Sequence, residues 1–596
     1  MSTTPTAVAR AAADTAGPPA PPPDAAEDTA HGVERAARLE RLLGDPCDPH
    51  NPHGYRALLD ADAQRHVPEA TEALLTDVRL GAEFVPRDLG GRLARPDVLA
   101  RALRPVFRRD VALGFGYGIT SLFGASAVWA AGDERRRADT ARLLLSGGRA
   151  TILHHELAHA NAILRDEFTA RSAPGGGFVL GGRKDVVINA DRADRFVMYA
   201  RTATSAGPRS HSVLFLDPER LPPGGLRRLP RVPTHGMRGS RFAGLEFTDC
   251  PVPAGTLVGD VGDGVQLALR TFMVNRCLIP GTVVAGVDSA LRFAVRAATE
   301  GRPTGQPARR HQAVLAGVFA DLLACDSMAV TGLRALSLLP DSAHLVAAAV
   351  KLTMPDLLRE DLEELATVLG AHGYDRGPLY GGFQKLVRDL PVAGLGHAGS
   401  AACQAVLVPR LRALARRSWF CDEEPTARLF LLSAPVPPLD YRKLSLSGGD
   451  DVLTASLVGA AERLGPLRGH GPLWAALADL ADAFVQEMRA LREQCAALPQ
   501  SAQATLADPR ACTLADRYVL VLAAAACLGV WEGQDGMDSF LAQPEWVVLA
   551  LTRIGRRLGA RVPELPDTAT GPVLDEVLLR YREGRSFDVY DTRIAG

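Results

Sequence analysis

Gly175-Gly176-Gly177-Phe178-Val179-Leu180-Gly181-Gly182, with Val186-Val187-Ile188 close behind, is the stretch on which the fold turns. Short apolar runs punctuated by glycine read as strands. Arg195 to Tyr199, Ser212 to Leu216 and Leu245 to Phe247 repeat the pattern, so 150–257 is expected to form a small antiparallel sheet or barrel. On either side the apolar period is helical. Residues 33–149 read as an N-terminal helical domain, with a helix start near Pro96. Residues 258–417 carry helical spacing over Val265–Arg296, Gln312–Ser337 and Ala343–Leu369, a C-terminal four-helix bundle. Residues 418–596 open on Pro435, Pro437 and Pro438 and continue as helices over Val452–Leu464, Leu473–Leu498, Leu514–Glu532 and Pro544–Leu558, an extra helical domain. The fold class is therefore mainly α with a β-domain. A sheet clasped between helical blocks leaves a seam that suits a planar cofactor.

Composition narrows the function. The chain has 596 residues, 47 % apolar and 23 % charged, as expected for several globular domains. Its 67 Lys and Arg against 68 Asp and Glu leave a net charge of −1, which gives no electrostatic case for nucleic acid or an anionic membrane. Nine dispersed cysteines without a C-x-x-C pair point to reduced thiols and a cytoplasmic location. Residues 1–32, rich in Ala and Pro, read as a disordered leader. The most apolar run, Tyr518 to Trp531, falls short of the roughly 20 residues a bilayer needs and reads as a buried helix. Lysine is nearly absent: Lys184, Lys351, Lys385 and Lys443 are the only four, which reads as a GC-rich coding sequence.

Four stretches together resemble the acyl-CoA dehydrogenase family over about 330 residues. Pro86 to Gly91 is similar to the family's P-E-x-x-G-G turn. Arg238-Gly239-Ser240 with Phe247 and Val252-Pro253 resembles its R-G-S…F…V-P run, continuing through Gly259 to Gly264 into a long helix. Arg302 to Gln312 resembles R-x-x-F-G…H-Q, and Leu369 to Tyr374 followed by Arg388-Asp389 resembles F-G-G-x-G-Y…R-D. The resemblance implies FAD at the seam, an acyl thioester on CoA or a carrier protein, and a homodimer or homotetramer. It implies that Arg302 and Gln312 reach a neighbouring subunit's FAD, with Gly370 also on the cofactor, and that Arg276 and Asn275 meet the substrate. A guanidinium suits pyrophosphate and an amide suits a polar edge.

Several positions depart from the family pattern. The base that takes the α-proton is a Glu eight residues after the Asp of R-D. Counting from Asp389 reaches His397. The family's alternative Glu falls on Asn275. A histidine titrating near about 6.5 suits a base at neutral pH, and Glu156 is a second candidate. The T-E-P-x-A-G-S-D loop falls on residues 155–162, placing His155 and Asn161 at the flavin, and the W-I-T/S strand falls on Val186-Val187-Ile188. His154, His155, His159 and His397 also raise the prospect of a new acid–base site.

His155-Glu156-Leu157-Ala158-His159 spells H-E-x-x-H, but it lacks the G-x-x-H continuation and strands follow it, so no metal is expected. The leading expectation is an FAD-dependent oxidoreductase of an acyl thioester in specialised metabolism. The alternatives are a flavin monooxygenase on the same fold and a flavin-free, re-purposed or non-catalytic member.

Overall fold

The computed structural model describes residues 25–596 except 155–162, 303–304, 396–398, 422, 500–505, 507, 535 and 538. The N-terminal block holds helices α1 (Ala25–Leu43), α2 (Tyr55–Ala63), α3 (Glu69–Asp77), α4 (Pro96–Arg109), α5 (Thr120–Ala131) and α6 (Glu134–Leu145). Helix thus begins inside the expected leader, and Asp28 is buried and ion-paired to Arg87. Pro96 opens α4, where its missing N–H removes no helical bond. Between Val111–Leu113 and α5 the glycines 114, 116 and 118 form a π-helical turn. Its Gly116 carbonyl accepts from Asn189 Nδ2 at 2.5 Å, docking the β-domain onto the helices.

The β-domain has eight strands: β1 (Ala150–Leu153), β2 (Thr169–Ser172), β3 (Phe178–Val187), β4 (Arg195–Arg201), β5 (His211–Leu216), β6 (Leu226–Arg231), β7 (Ala243–Val252) and β8 (Leu257–Val258). The sheet order is β6-β7-β3-β2-β4-β5-β8, with β1 on β4. The expected antiparallel sheet is in fact mixed, because β1 and β2 both run parallel to β4. Parallel neighbours require crossovers, which apolar runs alone do not reveal. All four β1 residues are buried, as befits a strand covered on both faces.

The bundle comprises α7 (Gly264–Thr299), α8 (Arg309–Leu338), α9 (Ala343–Leu369) and α11 (Ser400–Arg417), with the short α10 (Gly381–Asp389) beside them. Helix α7 is buried on nearly every face, so it is the axis of the core. The extra domain comprises α12 (Val452–Leu464), α13 (Pro472–Ala496), α14 (Pro509–Glu532), α15 (Pro544–Leu558) and α16 (Asp567–Arg582). Helix α14 has 24 residues, so the apolar run sits in an element longer than expected. Four helical stretches are long and apolar enough to cross a bilayer, yet 72–100 % of those windows is buried against the rest of the chain. Asp508 caps α14 by accepting from the Arg510 and Ala511 N–H groups at 2.9 and 3.3 Å.

The proline-rich linker folds back on the N-terminal block, where Leu439 N–H donates to Ala94 O at 2.8 Å. After α16 the tail threads Phe587 and Asp588 into the core. Asp588 lies 3.1 Å from Arg104 and 3.3 Å from Arg108. These arginines also meet Asp326, Asp288 and Glu40, so a buried ionic network ties α1, α4, α7, α8 and the tail.

Candidate functional site

The seam between sheet and bundle is built by β1, β4 and α7. At the end of β1 the His154 ring lies 5.1 Å from Phe272 on α7 and 6.3 Å from Tyr199 on β4, centroid to centroid. All three are buried, and burial pushes the Tyr199 phenol up to about 12. His154 is thus flanked by aromatic rings, and His155, His159 and His397, the other members of the expected cluster, lie outside the described residues.

One turn beyond Phe272 on the same helix come Asn275 and Arg276, 0 % and 2 % exposed. Among the described residues neither amide atom of Asn275, nor Arg276 Nε, finds a hydrogen-bond partner. Buried polar groups are nearly always satisfied, so three such atoms at one seam mark a place built to receive a polar ligand.

Facing them is α9, which carries Lys351 and His344 two turns apart on one face. Lys351 donates its Nζ to the Ala393 carbonyl, in the turn Val392–Leu395 that leads directly into 396–398. Burial, reinforced by the Arg276 charge, holds its ammonium down to about 7. Burial also holds His344 at about 4, with Arg410 the next contributor. Sequence reading missed both residues. The available signal was the scarcity of lysine: three of the four are buried, at 0 %, 1 % and 7 % exposure for Lys184, Lys351 and Lys385.

The Arg-Asp pair that located His397 is a clamp. Arg388 meets Asp62 at 2.8 Å and the His235 carbonyl at 3.2 Å. Asp389 accepts from Met237 N–H at 2.5 Å and from Lys385 at 2.5 Å. A Cβ at Gly236 would stand 1.9 Å from Arg388 O, so glycine is required for this approach. The clamp fixes the start of the loop that carries His397. His397, Glu156, His155 and Asn161 themselves lie outside the described residues, as does the H-E-x-x-H string.

Ile188 is half-buried against the main core, and its carbonyl accepts from Thr151 Oγ1 at 2.7 Å. It therefore offers no side-chain hydroxyl at the seam. Arg302, Gln312 and Gly370 gather at the far end of the bundle. Tyr380 joins them there by donating to Glu300 at 3.2 Å and stacking on His372 at 4.7 Å. Arg302 is exposed and makes no ion pair among the described residues. Gln312 donates one amide N–H to Pro307 O at 3.0 Å, leaving its second N–H and its oxygen for a ligand. Gly370, at φ +53, has no heavy atom within 4 Å of a Cβ position, an open cradle.

A mixed sheet between two helical blocks, with an aromatic-walled seam and uncommitted polar groups on the central helix, defines the helical–β–helical class. Residues 262–410 match the family described as "Acyl-CoA dehydrogenase, C-terminal domain". Human mitochondrial short-chain specific acyl-CoA dehydrogenase is 25 % identical over 316 residues, 52 % of this chain and 76 % of that protein. Rice isovaleryl-CoA dehydrogenase is 24 % identical over 251 residues, 41 % of this chain and 61 % of that protein. In bovine isovaleryl-CoA dehydrogenase the match spans only 53 % of that protein.

Butyryl-CoA dehydrogenase from Megasphaera elsdenii aligns with a TM-score of 0.55 at 16 % identity, covering 63 % of this chain and 96 % of its own. The prolyl acyl carrier protein oxidase AnaB aligns at 0.56 and 18 % identity, covering 64 % and 98 %. Residues 262–410 are thus similar to the C-terminal domain of the acyl-CoA dehydrogenase family, and the chain shares the fold of these enzymes. About a third of it has no counterpart in those two structures, consistent with the added helices α12 to α16.

Proposed function

We propose that the chain is an FAD-dependent oxidoreductase that acts on an acyl thioester of CoA or a carrier protein, in the cytoplasm and in specialised metabolism. The observation that carries this reading is the pair Asn275 and Arg276, buried at an aromatic-walled seam with side-chain atoms unpartnered among the described residues. The residues present fit the cofactor. Arg302 supplies an exposed guanidinium for pyrophosphate and Gly370 an open backbone. From Asn275 to Thr299 helix α7 runs 24 residues, or about 36 Å at 1.5 Å per residue. That separation is longer than one dinucleotide reaches. Arg302 and Gly370 therefore serve a second subunit's seam, and a homodimer or homotetramer is the working form. Tyr374, 88 % exposed beside Gly370, suits such a contact.

Bound at the seam, FAD would supply a hydride acceptor for the β-carbon of the acyl group. His397 takes the α-proton, with the loop held by Lys351 through Ala393 and by the Asp389 clamp; Glu156 is the second candidate base. Arg276 and Asn275 orient the thioester. Phe272, Tyr199 and His154 exclude water from the reacting carbons.

The test is anaerobic turnover of FAD-loaded protein with an artificial electron acceptor. His397→Ala is expected to lose about 10²- to 10⁴-fold in turnover, the span of a general base. Unchanged turnover would remove His397 from the mechanism. Oxygen consumption that requires an added reductant would shift the assignment to a monooxygenase.

A further inference from the structure

The buried lysines are not alike in their surroundings. Lys184 is ion-paired to Asp166, and Lys385 to Asp110 and Asp389. Lys351, 1 % exposed, has a single carbonyl as its acceptor. The charged and titratable groups described around it are Arg276 and Cys277 from α7, His344 from its own helix, and Cys403 and Arg410 from α11. Arg410 is directed at the Gly448 and Gly449 carbonyls, at 2.9 and 3.2 Å. Arg276 Nε and both amide atoms of Asn275 lack a hydrogen-bond partner among the described residues, and His344 borders the Asp341 backbone. No carboxylate of the described residues forms an ion pair with Lys351 or Arg276.

Burying a cation without a counter-ion is costly, and among the described residues neither Lys351 nor Arg276, which lie within electrostatic reach of each other, has one. A guanidinium beside an ammonium, with an imidazole and an amide at hand, is a donor set for a compact planar anion. The cluster lies one helical turn past Phe272 and is almost wholly enclosed. The pantetheine and phosphate parts of a thioester need an open approach, so the anion belongs to the acyl end.

We propose that Arg276, Lys351 and His344 bind a carboxylate borne on the acyl group, so that the preferred substrate is the thioester of a dicarboxylic acid. This rests on the thioester reading above. A bound carboxylate stabilises the ammonium form of Lys351, so binding takes up a proton above about pH 7, and affinity falls as pH rises further.

The experiment titrates the FAD-loaded full chain calorimetrically with S-acyl pantetheines, whose arm is common to CoA and carrier proteins. Malonyl, succinyl and glutaryl thioesters are compared with propionyl, butyryl and valeryl thioesters of equal carbon count. At least one dicarboxylic thioester is expected to bind ten-fold or more tightly than its match, about 1.4 kcal/mol. Its affinity should decline from about pH 7 to 9, with Arg276→Gln and Lys351→Met each erasing the preference. Monocarboxylic thioesters binding as well as or better than all their partners overturns the inference while leaving the thioester reading intact. Binding of neither series, with no uptake of FAD, overturns both. The wild-type comparison stands without the variants, should either fail to fold.

Discussion

Lys385 and Lys351 occupy equally sheltered places and do opposite things. Lys385 on α10 has Asp110 at 2.8 Å and Asp389 at 2.5 Å. Burial alone would pull its ammonium down, but the two carboxylates reverse that and raise it above the ordinary lysine range. It is a strut joining α10 to the N-terminal helical block at Asp110. Lys351 on α9 has no such partner, and its ammonium sits at about 7. Burial of charge alone therefore does not mark a site. A buried charge without a counter-ion among the described residues is the informative case. The Asp588 network makes the same point, since its arginines and carboxylates are satisfied within the fold and serve stability.

The sharpest way to break the comparison is to remove each lysine. Lys385→Met strands Asp110 and Asp389 in the interior and is expected to cost about 3–5 kcal/mol. The check is thermal and denaturant unfolding of the full chain; a neutral result would mean the strut is not one. Lys351→Met strands no charge, only the Ala393 carbonyl, and is expected to act with the opposite sign, stabilising the unliganded protein by about 1–4 kcal/mol.

The pH dependence sharpens that sign. In the unfolded chain Lys351 keeps its proton up to about 10.4, whereas the folded protein releases it near 7. The unfolded state thus binds more protons between these values, and wild-type stability should rise with pH across that window. Lys351→Met should lack that component of the rise. The smallest effect belongs to the half-exposed Arg463, paired with Glu424 and Glu532 at 2.8 Å each. Arg463→Ala is expected to change stability by about 1 kcal/mol or less, because water screens it.

Much of the fold was legible because helical and strand periods differ strongly along the chain. The bundle helices α7, α8 and α9 and the added α12 to α15 fall close to their expected bounds. Helix α16 was missed, since Pro572 and sparse apolar residues blur its period. The parallel pairing of β1 and β2 with β4 was also missed, because it depends on crossover topology.

Of the candidate site, Asn275 and Arg276 came from the family resemblance, and the structure places both on α7, buried. Lys351 and His344 were invisible, because a polar residue in an apolar helix gives no clue to which partners tertiary packing will bring or withhold. Gln312 illustrates the converse: its position is as expected, but a local carbonyl claims one N–H.

The central claim is that the seam beside Asn275 and Arg276 holds a flavin facing an acyl thioester. Its most direct measurement is the visible spectrum of FAD-loaded protein during anaerobic titration with the acyl pantetheine panel. The account predicts flavin bands that persist after desalting and bleach when a dicarboxylic thioester is added. A protein that stays colourless after incubation with FAD, or a bound flavin that no thioester bleaches or shifts, would contradict it.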